Sequence, residues 1–195
     1  MTPYQLIAST LPTEGQLLDL GSGHGLLAFA LAIGSTRRRI TGIDHDPERV
    51  RIAQSAALKL PTSVKPRFEV GDLKERLASY AAGSLAGVAM IDILHYFDRV
   101  SQQLLINEAA RVLAPGGILA MREIDSDAGI RAAANRLYEY IATGIGFTRS
   151  ASATLSFRGA SEWTILLESA GFTVRSQPCG PAPFADTLFL GQKAL

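Results

Sequence analysis

Short apolar runs alternate with longer amphipathic segments along the first two thirds of the chain. The short runs have the length of buried strands, and the longer segments repeat apolar residues at helical spacing. Strands are predicted at 16–20, 39–43, 66–70, 87–91 and 118–121, and helices at 2–10, 25–33, 47–60, 74–81 and 100–113. This strict alternation predicts a parallel sheet with helices on both faces.

The last third of the chain has a different pattern. It predicts a helix at 125–148, a loop of small polar residues at 150–159 and a helix at 161–170. Two strands, 172–175 and 187–190, follow. The connection between them is too rich in proline and glycine for a crossover helix, so these two strands are predicted to be antiparallel.

A glycine-rich turn joins the first strand to the first long helix. The stretch reads Leu17-Leu18-Asp19-Leu20-Gly21-Ser22-Gly23-His24-Gly25. Glycines allow positive φ and close approach of a ligand, and a helix N-terminus presents unpaired N–H groups. The turn is therefore a candidate site for a nucleotide-like ligand. Leu26 stands where the dinucleotide-binding fingerprint has its third glycine.

Acidic residues follow the next two strands. Asp44 lies about 20 residues beyond the turn, where a carboxylate can accept hydrogen bonds from ribose hydroxyls. Asp46, directly before Pro47, suits the cap of the next helix better. Asp72 follows the third strand and could cap the short helix after it.

Taken together, these segments resemble the class I S-adenosylmethionine-dependent methyltransferases that act on small molecules. The glycine turn with Asp19 is similar to motif I of that family, and Met90-Ile91-Asp92-Ile93-Leu94-His95-Tyr96-Phe97 looks like its segment after strand four. Residues 114–117 and 169–172 match later landmarks. The resemblance implies one α/β domain over 1–195, with a doubly wound, Rossmann-like sheet of seven strands. Their implied order is 3-2-1-4-5-7-6, with strand 7 antiparallel.

The resemblance also implies S-adenosylmethionine as cofactor and a set of binding residues at the carboxyl ends of the strands. Asp44 would hold the ribose, Asp72 the adenine amino group, and the Leu73 backbone N–H a ring nitrogen. The backbone near Ile91 would face the methionine ammonium. The full implied set is Asp19, Gly21, Ser22, Gly23, Gly25, Asp44, His45, Asp72, Leu73, Ile91 and Asp92.

Methyl transfer from a sulfonium depends mainly on positioning, and a general base is needed only if the acceptor must lose a proton. His95 is the candidate base because imidazole titrates near neutrality, and it is expected with Asp92 at the mouth of the site. The alternative is a structural histidine that packs the strand-four loop against the next helix. Tyr96 is either a second catalytic candidate or a pocket wall. Glu123 and Asp125 could bind or deprotonate substrate.

Residues 125–159 are predicted to form a substrate lid inserted between strands five and six. An aromatic or acyl acceptor with a carboxylate or phosphate, or an acyl carrier protein, would suit its basic and aromatic content. Arginines on a solvated helix face explain the same pattern. The residues concerned are Arg131, Arg136, Arg149, Arg158, Tyr138, Tyr140, Phe147 and Phe157.

Composition limits the remaining choices. The 195 residues suit one α/β domain, and a net charge of +1 offers no broad basic face for nucleic acid. The basic run at 37–39 is predicted to be a solvated loop. One cysteine and three scattered histidines predict no metal site. No membrane span or secretory leader is expected, which favours a cytoplasmic protein.

The function predicted from the sequence is methyl transfer to a small molecule. The alternatives are a non-catalytic subunit that binds S-adenosylmethionine and an NAD-dependent oxidoreductase, whereas methylation of nucleic acid is disfavoured. The acceptor atom and the oligomeric state are not predicted.

Overall fold

A seven-stranded sheet runs through the part of the chain that the computed structural model describes, which is residues 2–128, 155–180 and 185–195. Its order is β3-β2-β1-β4-β5-β7-β6, with β1 to β5 parallel and β7 antiparallel to both of its neighbours. This confirms the implied order and direction. The strands are β1 Gly15–Leu20, β2 Arg38–Asp44, β3 Arg67–Val70, β4 Leu85–Ile91, β5 Leu113–Ile124, β6 Phe172–Pro178 and β7 Asp186–Lys193.

Helices cover both faces of the sheet. The first three pack with Leu17, Ile40 and Ala89 on one face, and the last three pack with Leu18, Met90 and other residues on the opposite face. No helix within the described ranges is long and apolar enough to cross a membrane. The helices are α1 Tyr4–Thr10, α2 Leu26–Gly34, α3 Pro47–Ala57, α4 Leu73–Ala78, α5 Arg99–Val112 and α6 Ala160–Ser169.

Aspartates begin three of these helices. The Asp46 side chain accepts hydrogen bonds from the backbone N–H groups of the first turn of α3, as predicted. Asp72 does the same for α4, and Asp98 accepts from the Ser101 N–H at 2.7 Å to begin α5. Each carboxylate satisfies N–H groups that a helix cannot pair internally.

Two local predictions are wrong. Residues 114–117 lie within β5 rather than before it, at an irregularity where the pairing with β4 shifts register. Residues 125–128 are not helical, and Asp125 instead forms a β-bridge with Arg158. The predicted helix beyond 128 and the predicted loop at 150–154 lie outside the described residues.

Arg38 also differs from its prediction as part of a solvated loop. It lies on β2, only 9% of its surface is exposed, and it donates to four backbone carbonyl oxygens. Three of these belong to Ala8, Leu11 and Pro12, and the fourth to Leu31 in α2. Burial lowers the pKa of Arg38. The guanidinium therefore joins α1 and α2 to the sheet.

Replacing Arg38 with methionine is expected to destabilise the fold by about 2–3 kcal/mol, because carbonyl groups that face a buried cation lose their donor. Urea unfolding followed by circular dichroism would measure the change. The neighbouring Arg39→Met, at an exposed position of β2, is the matched control and should change stability by less than about 0.5 kcal/mol. Equal stability of the two variants would contradict the role of Arg38.

Candidate active site

The turn between β1 and α2 is packed closely against neighbouring parts of the protein. Gly21 and Gly25 have φ of +79° and +82°, and an added Cβ would lie 2.3 Å from Ile93 and 2.4 Å from Phe68. The Gly21 N–H donates to the carbonyl of Ile43 in β2 at 2.8 Å. A Cβ at Gly23 would meet nothing within 4 Å, so space remains on that side of the turn.

Asp44 lies at the carboxyl end of β2 and supports this turn. Its Oδ2 accepts from the Gly23 N–H at 2.8 Å, and its Oδ1 accepts from the Asp46 N–H at 2.9 Å. His45 is exposed, and its Nδ1 lies 3.4 Å from Asp44 Oδ1. The structure thus brings Asp44 and His45 to the glycine turn.

Asp72 lies at the carboxyl end of β3, where the sequence placed it. Its Oδ1 accepts the backbone N–H groups of Lys74 at 2.9 Å and Glu75 at 3.0 Å. Leu73, the first residue of α4, is buried. The capping alternative for Asp72 is therefore confirmed, and both of these bonds use the same carboxylate oxygen.

Two buried polar atoms near the turn lack a hydrogen-bond partner among the described residues: Asp19 Oδ2 and Ser22 Oγ. Burial raises the pKa of Asp19 to about 7, although a hydrogen bond from the Ala28 backbone opposes the rise and the nearby charge of Asp44 adds to it. A buried polar atom without a partner is costly and calls for a ligand or water. Both atoms fit a polar ligand bound against the glycine turn.

Arg122, which the sequence analysis missed, organises the carboxyl ends of β4, β5 and the start of β7. Its guanidinium contacts the carboxylates of Asp92 and Asp186, and it donates to the Cys179 carbonyl at 3.1 Å and lies 3.4 Å from Thr2 Oγ1. Burial raises the pKa of Asp92 to about 6, against the lowering effect of Arg122. The signal was a charged residue one position beyond the predicted apolar strand.

The start of α1 reaches the same edge of the sheet. Thr2 Oγ1 lies 3.4 Å from Asp92 Oδ2, and the Tyr4 ring is half-buried. Burial raises the pKa of Tyr4, and the negative charges of Asp92 and Asp19 raise it further. Thr2 and Tyr4 thus lie beside Asp92, a position that no local pattern indicated.

His95 was expected at the mouth of the site, but it is buried, with only 1% of its surface exposed. Its Nδ1 lies 2.7 Å from Oε2 of the buried Glu123, and its ring stacks on Phe157 at 5.5 Å. Tyr96 is partly exposed, and its ring lies 4.2 Å from that of His95. These surroundings support the alternative prediction, that His95 is a structural histidine which packs the loop after β4.

Glu123 acts as an acceptor for the strand-four loop. Its Oε1 accepts the N–H groups of Ile93 at 3.1 Å and Leu94 at 2.6 Å, in addition to the His95 contact. Asp125 Oδ1 accepts the Ala160 N–H at the start of α6. Both carboxylates are therefore engaged with the protein itself rather than placed to deprotonate a substrate.

The end of the predicted lid is tied to the rest of the protein. Gln102 donates to the Ser156 carbonyl at 2.8 Å and accepts from Arg158 Nε at 2.6 Å. The Arg158 guanidinium also donates to the Arg99 carbonyl and lies over the Trp163 ring. Arg158 is therefore not placed to bind an acidic substrate, and the other lid residues named above, Phe157 apart, lie outside the described ranges.

Within residues 2–128, 155–180 and 185–195, no three His, Cys, Asp or Glu side chains are grouped in a way that could hold a metal ion.

Comparison with known proteins shows which family the chain belongs to. A protein-family model described as a methyltransferase domain matches residues 17–117 of the 195. A curated relative, 27-O-demethylrifamycin SV methyltransferase of Amycolatopsis mediterranei (strain S699), is 33% identical over 138 residues. These cover 68% of this chain and 49% of that protein, so the chain spans about half the length of this relative.

Solved structures share the fold. A SAM-dependent methyltransferase from Methanosarcina mazei aligns with a TM-score of 0.72 and 21% identity, covering 100% of both chains. An O-methyltransferase family protein from Burkholderia thailandensis aligns with a TM-score of 0.77 and 18% identity, covering 98% of this chain and 55% of the other.

The matched motif, the sheet order and the glycine turn agree: the chain belongs to the class I S-adenosylmethionine-dependent methyltransferases. Membership implies S-adenosylmethionine as the cofactor. It also argues against the NAD-dependent alternative, together with the antiparallel β7.

Proposed function

We propose that this protein transfers the methyl group of S-adenosylmethionine to a small-molecule acceptor. The observation that carries the proposal is the pair of buried atoms without partners, Asp19 Oδ2 and Ser22 Oγ, beside the glycine turn of a methyltransferase domain. When bound, the cofactor supplies an activated sulfonium methyl group. The protein's task is to bind and orient the two reactants and to exclude water.

Three carboxylates would hold the cofactor. Asp44 already supports the turn, but each carboxylate oxygen has two lone pairs, so it can also accept from ribose hydroxyls. The cap bonds of Asp72 fall on Oδ1, which leaves Oδ2 as the atom to accept from the adenine amino group. Asp19 would face the positively charged methionine end, together with the backbone near Ile91.

The acceptor would enter between the carboxyl ends of the parallel strands and the segment 125–159, which we propose as the substrate lid. Its two ends are joined at the carboxyl end of β5, where Asp125 bridges to Arg158 and the Ser126 N–H donates to the Arg158 carbonyl at 3.1 Å.

The name of the rifamycin relative supports a small hydroxyl-bearing acceptor. The engagement of Arg158 with Gln102 weakens the case for an acyl carrier protein. Tyr96, half-exposed next to the site, is proposed as a wall of the acceptor pocket.

Calorimetric titration tests the cofactor. S-adenosylmethionine is expected to bind and NAD is not. Asp44→Ala should weaken S-adenosylmethionine binding by about 1–3 kcal/mol, because it removes the ribose acceptor and a support of the turn. Glu14→Ala, an exposed carboxylate before β1 at the opposite edge of the sheet, is the control and should leave affinity unchanged. Unchanged affinity in Asp44→Ala would refute the ribose role.

A further inference from the structure

Asp92 has an unusual backbone conformation at the end of β4. Its φ is +56°, and no other described residue apart from glycines has a positive φ. Aspartate tolerates this left-handed region better than most residues, but at some cost in free energy. Such a conformation persists when the surroundings hold it in place, and it indicates a constraint on where the side chain lies.

Arg122 supplies that constraint from both its main chain and its side chain. The Arg122 carbonyl accepts the Asp92 N–H at 2.9 Å, and its guanidinium contacts Asp92 Oδ2. Thr2 Oγ1 also lies 3.4 Å from Oδ2. The guanidinium and Thr2 both contact Oδ2, so Oδ1 is the carboxylate oxygen of Asp92 that a ligand would meet. The Asp92 side chain is 31% exposed, whereas that of Arg122 is 6% exposed.

The charges around this pair are unbalanced. Arg122 faces two carboxylates, those of Asp92 and Asp186, and its single positive charge does not balance both. The other titratable groups near Asp92 are Glu123, His95, Cys179 and Tyr4. A site with excess negative charge favours a cationic ligand.

We propose that Arg122 is a positioning residue: it fixes Asp92 in the left-handed conformation and so presents the carboxylate to the positively charged methionine end of the cofactor. This inference rests on the proposed function, because it assigns to Asp92 a contact with S-adenosylmethionine. Arg122 itself is buried, and four of its N–H groups already have acceptors within the protein, so its role is to position Asp92 rather than to contact the ligand.

Calorimetric titration with two ligands tests this role. S-adenosylmethionine carries the positive charges, and 5′-methylthioadenosine is a neutral nucleoside that shares its adenosine. Arg122→Met should lower the preference for S-adenosylmethionine over methylthioadenosine by about tenfold at pH 7. Without the guanidinium, the pKa of Asp92 beside Asp186 is expected to rise, so Asp92 holds its proton for more of the time at pH 7 and attracts the cationic ligand less.

Arg38→Met is the matched control, because Arg38 is also a buried arginine with four acceptors but joins α1 and α2 to the sheet. It should leave the preference unchanged. Arg122→Lys should restore part of the preference because it returns a positive charge.

Asp92→Asn provides a milder second variant, since it keeps an acceptor for Arg122 while removing the carboxylate charge. It should lower the preference at pH 7. An equal loss of affinity for both ligands in Asp92→Asn, or in a folded Arg122→Met, would overturn the positioning role. Failure of the wild-type protein to bind S-adenosylmethionine would instead overturn the proposed function.

Discussion

Replacing Glu123 with alanine is expected to destabilise the fold by about 3–5 kcal/mol. Glu123 is buried, and its two oxygens serve the N–H groups of Ile93 and Leu94 and the His95 ring. Alanine would leave two buried N–H groups and an imidazole without their acceptor, next to a new cavity. Urea unfolding at pH 7 would measure the change in the free energy of unfolding.

Two further variants test why Glu123→Ala lowers the free energy of unfolding. Glu123→Gln keeps a carbonyl oxygen for the two N–H groups and replaces the oxygen beside His95 Nδ1 with an NH2 group, so it should cost clearly less than alanine. Glu108→Ala removes a partly exposed carboxylate paired with Arg111 on α5 and should cost less than about 1 kcal/mol. If Glu123→Ala were as mild as Glu108→Ala, Glu123 would not organise the strand-four loop.

Replacing Asp19 with asparagine is expected to stabilise the protein free of cofactor, by an amount that grows with pH. Burial raises the pKa of Asp19 to about 7, whereas the pKa of an aspartate in the unfolded chain is about 4. Between these values the folded state holds a proton that the unfolded state has released, so wild-type stability falls as pH rises through this window. Asparagine does not ionise and keeps an acceptor for the Ala28 N–H.

The stability difference between Asp19→Asn and wild type should therefore be small at pH 4 and reach about 2–4 kcal/mol above pH 7. Thermal unfolding at a series of pH values would measure it. Asp98→Asn, which alters the cap of α5, is the control: the Ser101 N–H lowers the pKa of Asp98, so any change with pH should have the opposite sign. A difference that stays constant from pH 4 to pH 8 would show that Asp19 is already ionised in the folded state.

Local patterns were sufficient for most of the fold. The glycine turn, the helix cap at Asp46 and the alternation of strands and helices each depend on neighbours in the sequence, and the structure confirms them. The position of the antiparallel β7 between β5 and β6 was implied by the family resemblance. Only its direction followed from the residues at 177–183.

The errors concern residues whose partners are distant in the chain. Arg38 is buried because carbonyl groups of α1 and α2 converge on it, and Arg122 because Asp186 returns to the same edge in the last strand. His95 is enclosed by Phe157 and Glu123, about 60 and 30 residues away. Sequence periodicity reports which side of an element faces the core, but not which polar groups meet there.

The placement of β7 has a consequence for the folding of incomplete chains. It follows the other strands in the sequence, yet it pairs with β5 along one side and β6 along the other. A nascent or truncated chain that stops at Gly180 would leave the hydrogen-bonding groups of β5 open next to apolar Leu119 and Met121. An open, apolar sheet edge recruits strands from other molecules, so truncated chains should aggregate rather than remain as monomers with a five-stranded sheet.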